Sequence, residues 1–181
     1  TLLDEPAHPG ARIRAELLHA FHQDDLDASI PRVEGLREQA RAAQRPSEER
    51  LATNFLAVLV SWNGDDERSL ELHREALELG RAEGNVMAEA VELFNIAFTL
   101  RDTGAFEEAK VTFDRARAAY EQHQPLLVGD VLFERGRLHD RAAEHEAATA
   151  AYRESLAAYR KLHGERHPAV AAVAREHLDD C

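Results

Sequence analysis

A period of about 40 residues is the feature that most constrains what this chain can fold into. Around Gly104 the sequence reads Leu93-x2-Ile96-Ala97-x2-Leu100-x3-Gly104-x-Phe106-x2-Ala109-x3-Phe113-x2-Ala116. Apolar steps of three and four residues on both sides of a glycine predict two amphipathic helices joined by a tight turn. The pattern recurs with turns at Asp24, Gly64, Gly104 and Ala143, spaced by 40, 40 and 39 residues. Further columns keep this register in every copy. Five residues past the turn stand Ser29, Ser69, Ala109 and Ala148; nine past it Val33, His73, Phe113 and Tyr152; twelve past it Leu36, Ala76, Ala116 and Ser155. A small side chain at a fixed place is what two helices need to approach closely. A single hairpin cannot bury its own apolar faces, so the repetition implies hairpins stacked side by side.

Junction signals fall where this period demands them. Pro46-Ser47, Gly84-Asn85, Pro125 and Gly164-x2-His167-Pro168 are helix stops or starts. They set repeats at about 10–46, 47–86, 87–125 and 126–166, followed by a helix at 168–178 that is either a cap or the stump of an array in a longer protein. Pro31 lies near the start of the first repeat's second helix and is expected to delay that helix, because a missing N–H costs little there. The composition, 44% hydrophobic and 31% charged with six prolines and nine glycines in 181 residues, fits one all-α folded domain over 1–181.

A formal charge of −12 repels phosphate backbones and anionic lipid, so neither nucleic acid nor membrane is an expected partner. The longest nearly continuous apolar run, residues 55–62, is far shorter than the roughly 20 residues that cross a bilayer. The first ten residues show no basic start followed by an apolar stretch, and Cys181 is the one cysteine. A cytoplasmic location is therefore expected.

These residues resemble the tetratricopeptide repeat family, whose 34-residue motif places an apolar residue, Leu-Gly, Tyr, Gly-x-Tyr, Ala, Phe and Ala in that order. The third repeat fits it best. The longer period, together with His73-x2-Ala76-Leu77-x2-Gly80-x3-Gly84-Asn85 and Gly164-x2-His167-Pro168, is similar to the sub-type in spindle-orientation scaffolds, kinesin light chains and bacterial regulators. The resemblance covers about residues 11–178. It implies a right-handed solenoid of about four helical hairpins plus the C-terminal capping helix. Some positions depart from the pattern: Arg135, His139 and Glu16 stand where the family is apolar, and Asp66 stands where it has an aromatic after the turn.

Motifs for chemistry are missing. No glycine spacing suits a dinucleotide or phosphate loop, and neither Gly-x-Ser-x-Gly nor His-Glu-x2-His occurs. His19-x2-His22-x-Asp24-Asp25 brings two imidazoles and two carboxylates near one turn, yet no third ligand of fixed spacing follows, and a solvated acidic turn explains it as well. Cys181 follows Asp179 and Asp180, which disfavour a thiolate. The expectation is no catalytic residue, no metal and no cofactor.

What remains is recognition. In the resembled family the first helix of each hairpin lines a concave groove. Its groove places fall here on Arg14, Leu18, Phe21 and His22, then Asn54, Val58, Ser61 and Trp62, then Phe94, Phe98, Arg101 and Asp102, then Phe133, Arg137, Asp140 and Arg141. Four of the seven phenylalanines and the single tryptophan gather there. Aromatic and arginine side chains are the usual anchors of an interface. The competing reading makes the same rings interhelical core. The carboxylate-clamp positions of family members that hold chain termini carry Arg14, Leu18, Phe55, Val91 and Asn95 here, which does not support such a clamp. The expected function is a non-catalytic scaffold for a protein or peptide segment with apolar and acidic side chains. The alternatives are a self-associating structural module, the sensor domain of a bacterial regulator and, last, a metal-dependent enzyme.

Overall fold

The structure, a computed structural model, describes residues 9–21 and 25–163. Among these there is no strand. Eight α-helices follow one another: α1 (Pro9–Phe21), α2 (Leu26–Ala42), α3 (Pro46–Trp62), α4 (Asp66–Ala82), α5 (Val86–Asp102), α6 (Phe106–His123), α7 (Val128–Arg141) and α8 (His145–His163), with a 3₁₀ turn at Pro125–Leu127 before α7. The chain divides into two compact units, Thr1–Ala88 and Glu89–Cys181. The first holds the hairpins α1–α2 and α3–α4, the second α5–α6 and α7–α8. The expected turn at Asp24 and the capping helix at 168–178 lie outside the described residues.

One kind of turn sets the period. Helices α2, α3, α4 and α5 each have 17 residues, and three turn residues follow each of them, which makes a half-period of 20. Each turn contains one residue in the left-handed region: Gln44 (φ 51°), Gly64 (87°), Gly84 (64°) and Gly104 (84°), with Ala143 (58°) repeating it between α7 and α8. The next residue's N–H reaches back across the helix end, from Arg45 to Ala40 O (2.9 Å), Asp65 to Val60 O (3.1 Å), Asn85 to Gly80 O (2.9 Å), Ala105 to Leu100 O (2.8 Å) and Glu144 to His139 O (2.8 Å). These bonds satisfy carbonyls that the ending helix leaves open. Asp65 and Asn85 also cap the helix that follows, accepting from the N–H of Arg68 (3.1 Å) and Ala88 (3.0 Å). A single residue thus closes one helix and opens the next.

The column residues form the packed seam of the hairpins. All twelve are buried and none is more than 2% exposed. The Ser29 and Ser69 hydroxyls find no partner there, so their contribution is small volume rather than bonding. In the first unit Leu17, Val33, Leu36, Leu56, Leu59 and Val60 build one aliphatic core around alanines. Pro31 departs from expectation, because α2 starts at Leu26 and carries the proline inside its second turn. The helix runs through it without the N–H that would have bonded to Asp27.

The fourth hairpin is filled differently. A Cβ on Gly136 would collide with the Tyr152 ring, and one on Gly129 would lie 2.7 Å from the Tyr159 ring. The two glycines are seven residues apart on α7 and the two tyrosines seven apart on α8, so two rings rest on two glycines. The tyrosine hydroxyls donate to Asp140 (2.7 Å) and to Asp130, and Ser155 Oγ donates to Gly129 O at 2.8 Å. The positions that depart from the apolar pattern are met by charge: Glu16 pairs with Arg12 (2.8 Å), Arg135 with Asp114 (3.1 Å), and His139 Nδ1 lies 2.6 Å from Glu144.

Candidate functional site

In the first unit the anticipated groove positions converge on an aromatic cluster. Phe21 of α1 stacks on Phe55 of α3 at 4.7 Å and meets Trp62 at 5.1 Å. Trp62 stays 58% exposed at the end of α3, and Leu18 is exposed on α1. Arg14 is half exposed and donates to Glu48 (3.1 Å), while Asn54 and Val58 are half-buried along α3.

In the second unit Phe94 and Phe98 lie half-buried on α5 and Phe133 on α7. Phe94 meets Phe113 edge-on at 5.9 Å, and Phe133 meets Tyr152 at 5.7 Å. Phe94 and Phe133 each keep one side on the core. The packing and recognition readings are therefore not exclusive at these positions.

Arg101 is placed differently from the exposed anchor the sequence suggests. It is 1% exposed, its guanidinium sits 4.1 Å over the Phe98 ring, and it donates to Asp102 (2.9 Å) and to Glu134. It joins α5 to α7 through a charge-assisted bond that burial strengthens. Arg137 and Arg141 remain half exposed; Arg137 is 3.3 Å from Glu134, and Arg141 donates to Asp102 Oδ1 (2.7 Å) and to its carbonyl (3.2 Å). Of the arginines anticipated in this unit, those two are the ones a partner can reach.

Beside this network the second unit holds a cavity of about 320 Å³, lined by Phe94, Tyr120, Leu127, Asp130, Phe133 and Glu134. The anticipated groove set contains Phe94 and Phe133 but misses the others. Tyr120 stands on a second helix, away from any groove place, and only its fold-back brings it here. Asp130-x2-Phe133-Glu134 did carry a signal, since spacings of three and four share a helix face. Tyr120 is 3% exposed and its hydroxyl forms no hydrogen bond among the described residues. Burial, followed by the charges of Glu92 and Asp130, pushes that hydroxyl up to about 12. Burial likewise raises Tyr152 and Tyr159 well above the ordinary tyrosine range, with their bonds to Asp140 and Asp130 adding to it.

Among the described residues, no three His, Cys, Asp or Glu side chains gather as a metal ion would require. His22, Asp24 and Cys181 lie outside them. No helix of the described residues is long and apolar enough to cross a membrane.

The hairpin geometry, the left-handed turn and the buried small-residue columns define a tetratricopeptide-like fold of helical hairpins. Residues 131–169 match the sequence model of the tetratricopeptide repeat family, so the match falls on the fourth repeat rather than the third. Solved structures agree on the fold. Bacillus thuringiensis PlcR, in complex with the peptide PapR7 and DNA, superposes with a TM-score of 0.78 at 18% identity over 97% of this chain and 65% of its own. A Rap protein complexed with Competence and Sporulation Factor gives 0.74 at 12% identity, over 92% of this chain and 46% of its own. Tetratricopeptide-like repeats from Podosopora anserina, named for a kinesin light chain, give 0.72 at 15% identity, over 93% of this chain and 84% of their own. No curated protein matches the chain in sequence.

Proposed function

We propose that this chain is a non-catalytic cytoplasmic scaffold that docks a protein or peptide segment along the first helices of its hairpins. The observation that carries this reading is the second unit's surface, where half-buried Phe94, Phe98 and Phe133 lie with a cavity of about 320 Å³ and the half-exposed guanidinium groups of Arg137 and Arg141. Apolar rings supply contact area and the arginines select acidic side chains. Structures of this fold that hold a peptide or factor, PlcR with PapR7 and Rap with Competence and Sporulation Factor, support a peptide as the kind of ligand. This chain spans about half of that Rap protein and two thirds of PlcR, so a sensor role within a longer regulator belongs to the same proposal.

The test is selection from a random peptide library displayed to the full chain, followed by titration of the selected peptides. They should combine apolar and acidic residues and bind more weakly as salt rises. Arg137→Glu should abolish binding, and Phe98→Ala should weaken it through lost apolar contact. Failure to select any peptide, with a concentration-dependent increase in mass by light scattering, would instead favour self-association.

A further inference from the structure

We propose that the cavity between α5, α6 and α7 is a cation site, occupied by a lysine-type alkylammonium group of the docked segment. This rests on the docking reading above and adds a basic residue to the apolar and acidic ones. The wall consists of two phenylalanine rings, a leucine, a buried tyrosine and two carboxylates, with no cationic side chain among them. An anionic group entering it would face Asp130 and Glu134 together. A purely apolar group would shut water away from the Tyr120 hydroxyl, which forms no hydrogen bond among the described residues, and give it no partner in return.

The two carboxylates are not equivalent. Glu134 is already engaged by Arg101 and Arg137. Asp130 receives its hydrogen bond from the neutral Tyr159 hydroxyl, and among the described residues it has no cationic partner. Among the described residues this exposed carboxylate therefore stands at the edge of the aromatic cavity without a cation beside it. An ammonium group has three donors, and the polar end of the cavity has three acceptors for them in Asp130, Glu134 and the Tyr120 oxygen. The alkyl stem would lie against Phe94 and Phe133, whose ring faces attract a cation and whose edges shelter methylene groups. Tyr120 keeps its proton across the working range and so remains a neutral hydroxyl throughout.

The experiment titrates the full chain with n-butylammonium, n-butanol and butyrate, followed by ligand-observed NMR. Butylammonium should bind at least about tenfold more tightly than butanol, and butyrate should not bind. Asp130→Asn keeps the volume and an acceptor for Tyr159; it should weaken butylammonium by about tenfold and leave butanol unchanged. Equal binding of butanol and butylammonium by the unaltered protein would overturn the proposal even if no variant folded. An unchanged butylammonium affinity in the folded Asp130→Asn variant would overturn it as well. Peptides selected against the chain distinguish the two readings. If they displace butylammonium and lose affinity when their lysine becomes norleucine, both stand. If butylammonium binds and no peptide competes, the cation site stands and the docking reading falls. If peptides bind with an affinity that neither Asp130→Asn nor the loss of a lysine changes, docking stands and the cation site is wrong.

Discussion

In the first unit the space between paired helices is taken by leucines, valines and alanines, with Leu17, Leu36 and Leu56 enclosed. In the second unit the α7–α8 hairpin is held by Tyr152 and Tyr159 lying on Gly136 and Gly129, and a guanidinium is sealed between α5 and α7. The hairpins of both units close through the same left-handed turn, at Gly64, Gly104 and Ala143, and the half-period of 20 runs from α2 to α5, whereas α6 and α7 meet through Gln124 and a 3₁₀ turn. The period is therefore a property of helix length and turn geometry, and the filling is free to vary. Aliphatic filling leaves little to do chemistry with. Tyrosine and charge filling places hydroxyls and carboxylates at the edge of a cavity, which is where recognition can be specific.

The largest contrast should come from glycines inside helices. Gly136→Ala puts a methyl group into the buried Tyr152 ring and should cost about 1–3 kcal/mol. Gly35 of α2 has nothing within 4 Å of its place for a Cβ, so Gly35→Ala should stabilise the chain by about 0.5–1 kcal/mol through helix propensity. Urea unfolding of both variants checks this pair. Equal effects would mean that the tyrosine seats are looser than their close approach requires.

Alkaline pH should separate the units next. All three tyrosines, Tyr120, Tyr152 and Tyr159, lie in the second unit, and the one tryptophan lies in the first. Burial raises the folded-state pKa of each tyrosine above its unfolded value. A buried neutral phenol that resists ionisation makes the folded state lose ground once the unfolded chain can ionise. The stability concerned is complete below the unfolded value of about 10 and is lost as pH rises from there toward and through the folded values. Tyrosine absorbance should therefore report earlier alkaline loss than Trp62 fluorescence, and Tyr120→Phe should reduce the difference.

Smaller effects concern turns and surface charge. Gln44 and Ala143 occupy left-handed places that glycine holds at 64, 84 and 104. Gln44→Gly and Ala143→Gly should each raise stability by about 0.5–1 kcal/mol, one in each unit, measured by thermal melting. At the α7–α8 turn, hydrogen bonds from Lys110 first and His139 second hold the Glu144 carboxyl below the usual range. Its contribution is present above the unfolded carboxylate value and lost as pH falls through the folded one, so Glu144→Gln should flatten the acid side of the stability profile slightly.

The repeat was legible because packing imposed it on composition: a residue that must be small at a helix contact is small in every copy, as at Ser29, Ser69, Ala109 and Ala148. The turns were legible at Gly64 and Gly104, where positive φ selects glycine. Ala143 was found by spacing alone. The tyrosine seats were visible as Gly129 and Gly136 facing Tyr152 and Tyr159 at equal spacing, but a period of seven within one hairpin is hidden beneath one of about 40 across hairpins. The site was harder to read. Arg101 has the sequence position of a surface anchor, and its burial depends on Glu134, 33 residues away. Tyr120 enters the cavity from a second helix, and no local pattern announces that.

Chemical-shift mapping of the isotope-labelled chain during titration with a selected segment tests the central claim most directly. Docking along the first helices predicts perturbed amides on α5 and α7, centred on Phe94, Phe98, Phe133 and Arg137, with the exposed face of α6 around Val111 unchanged. Shifts concentrated on α4, α6 or α8, with α5 and α7 silent, would contradict it.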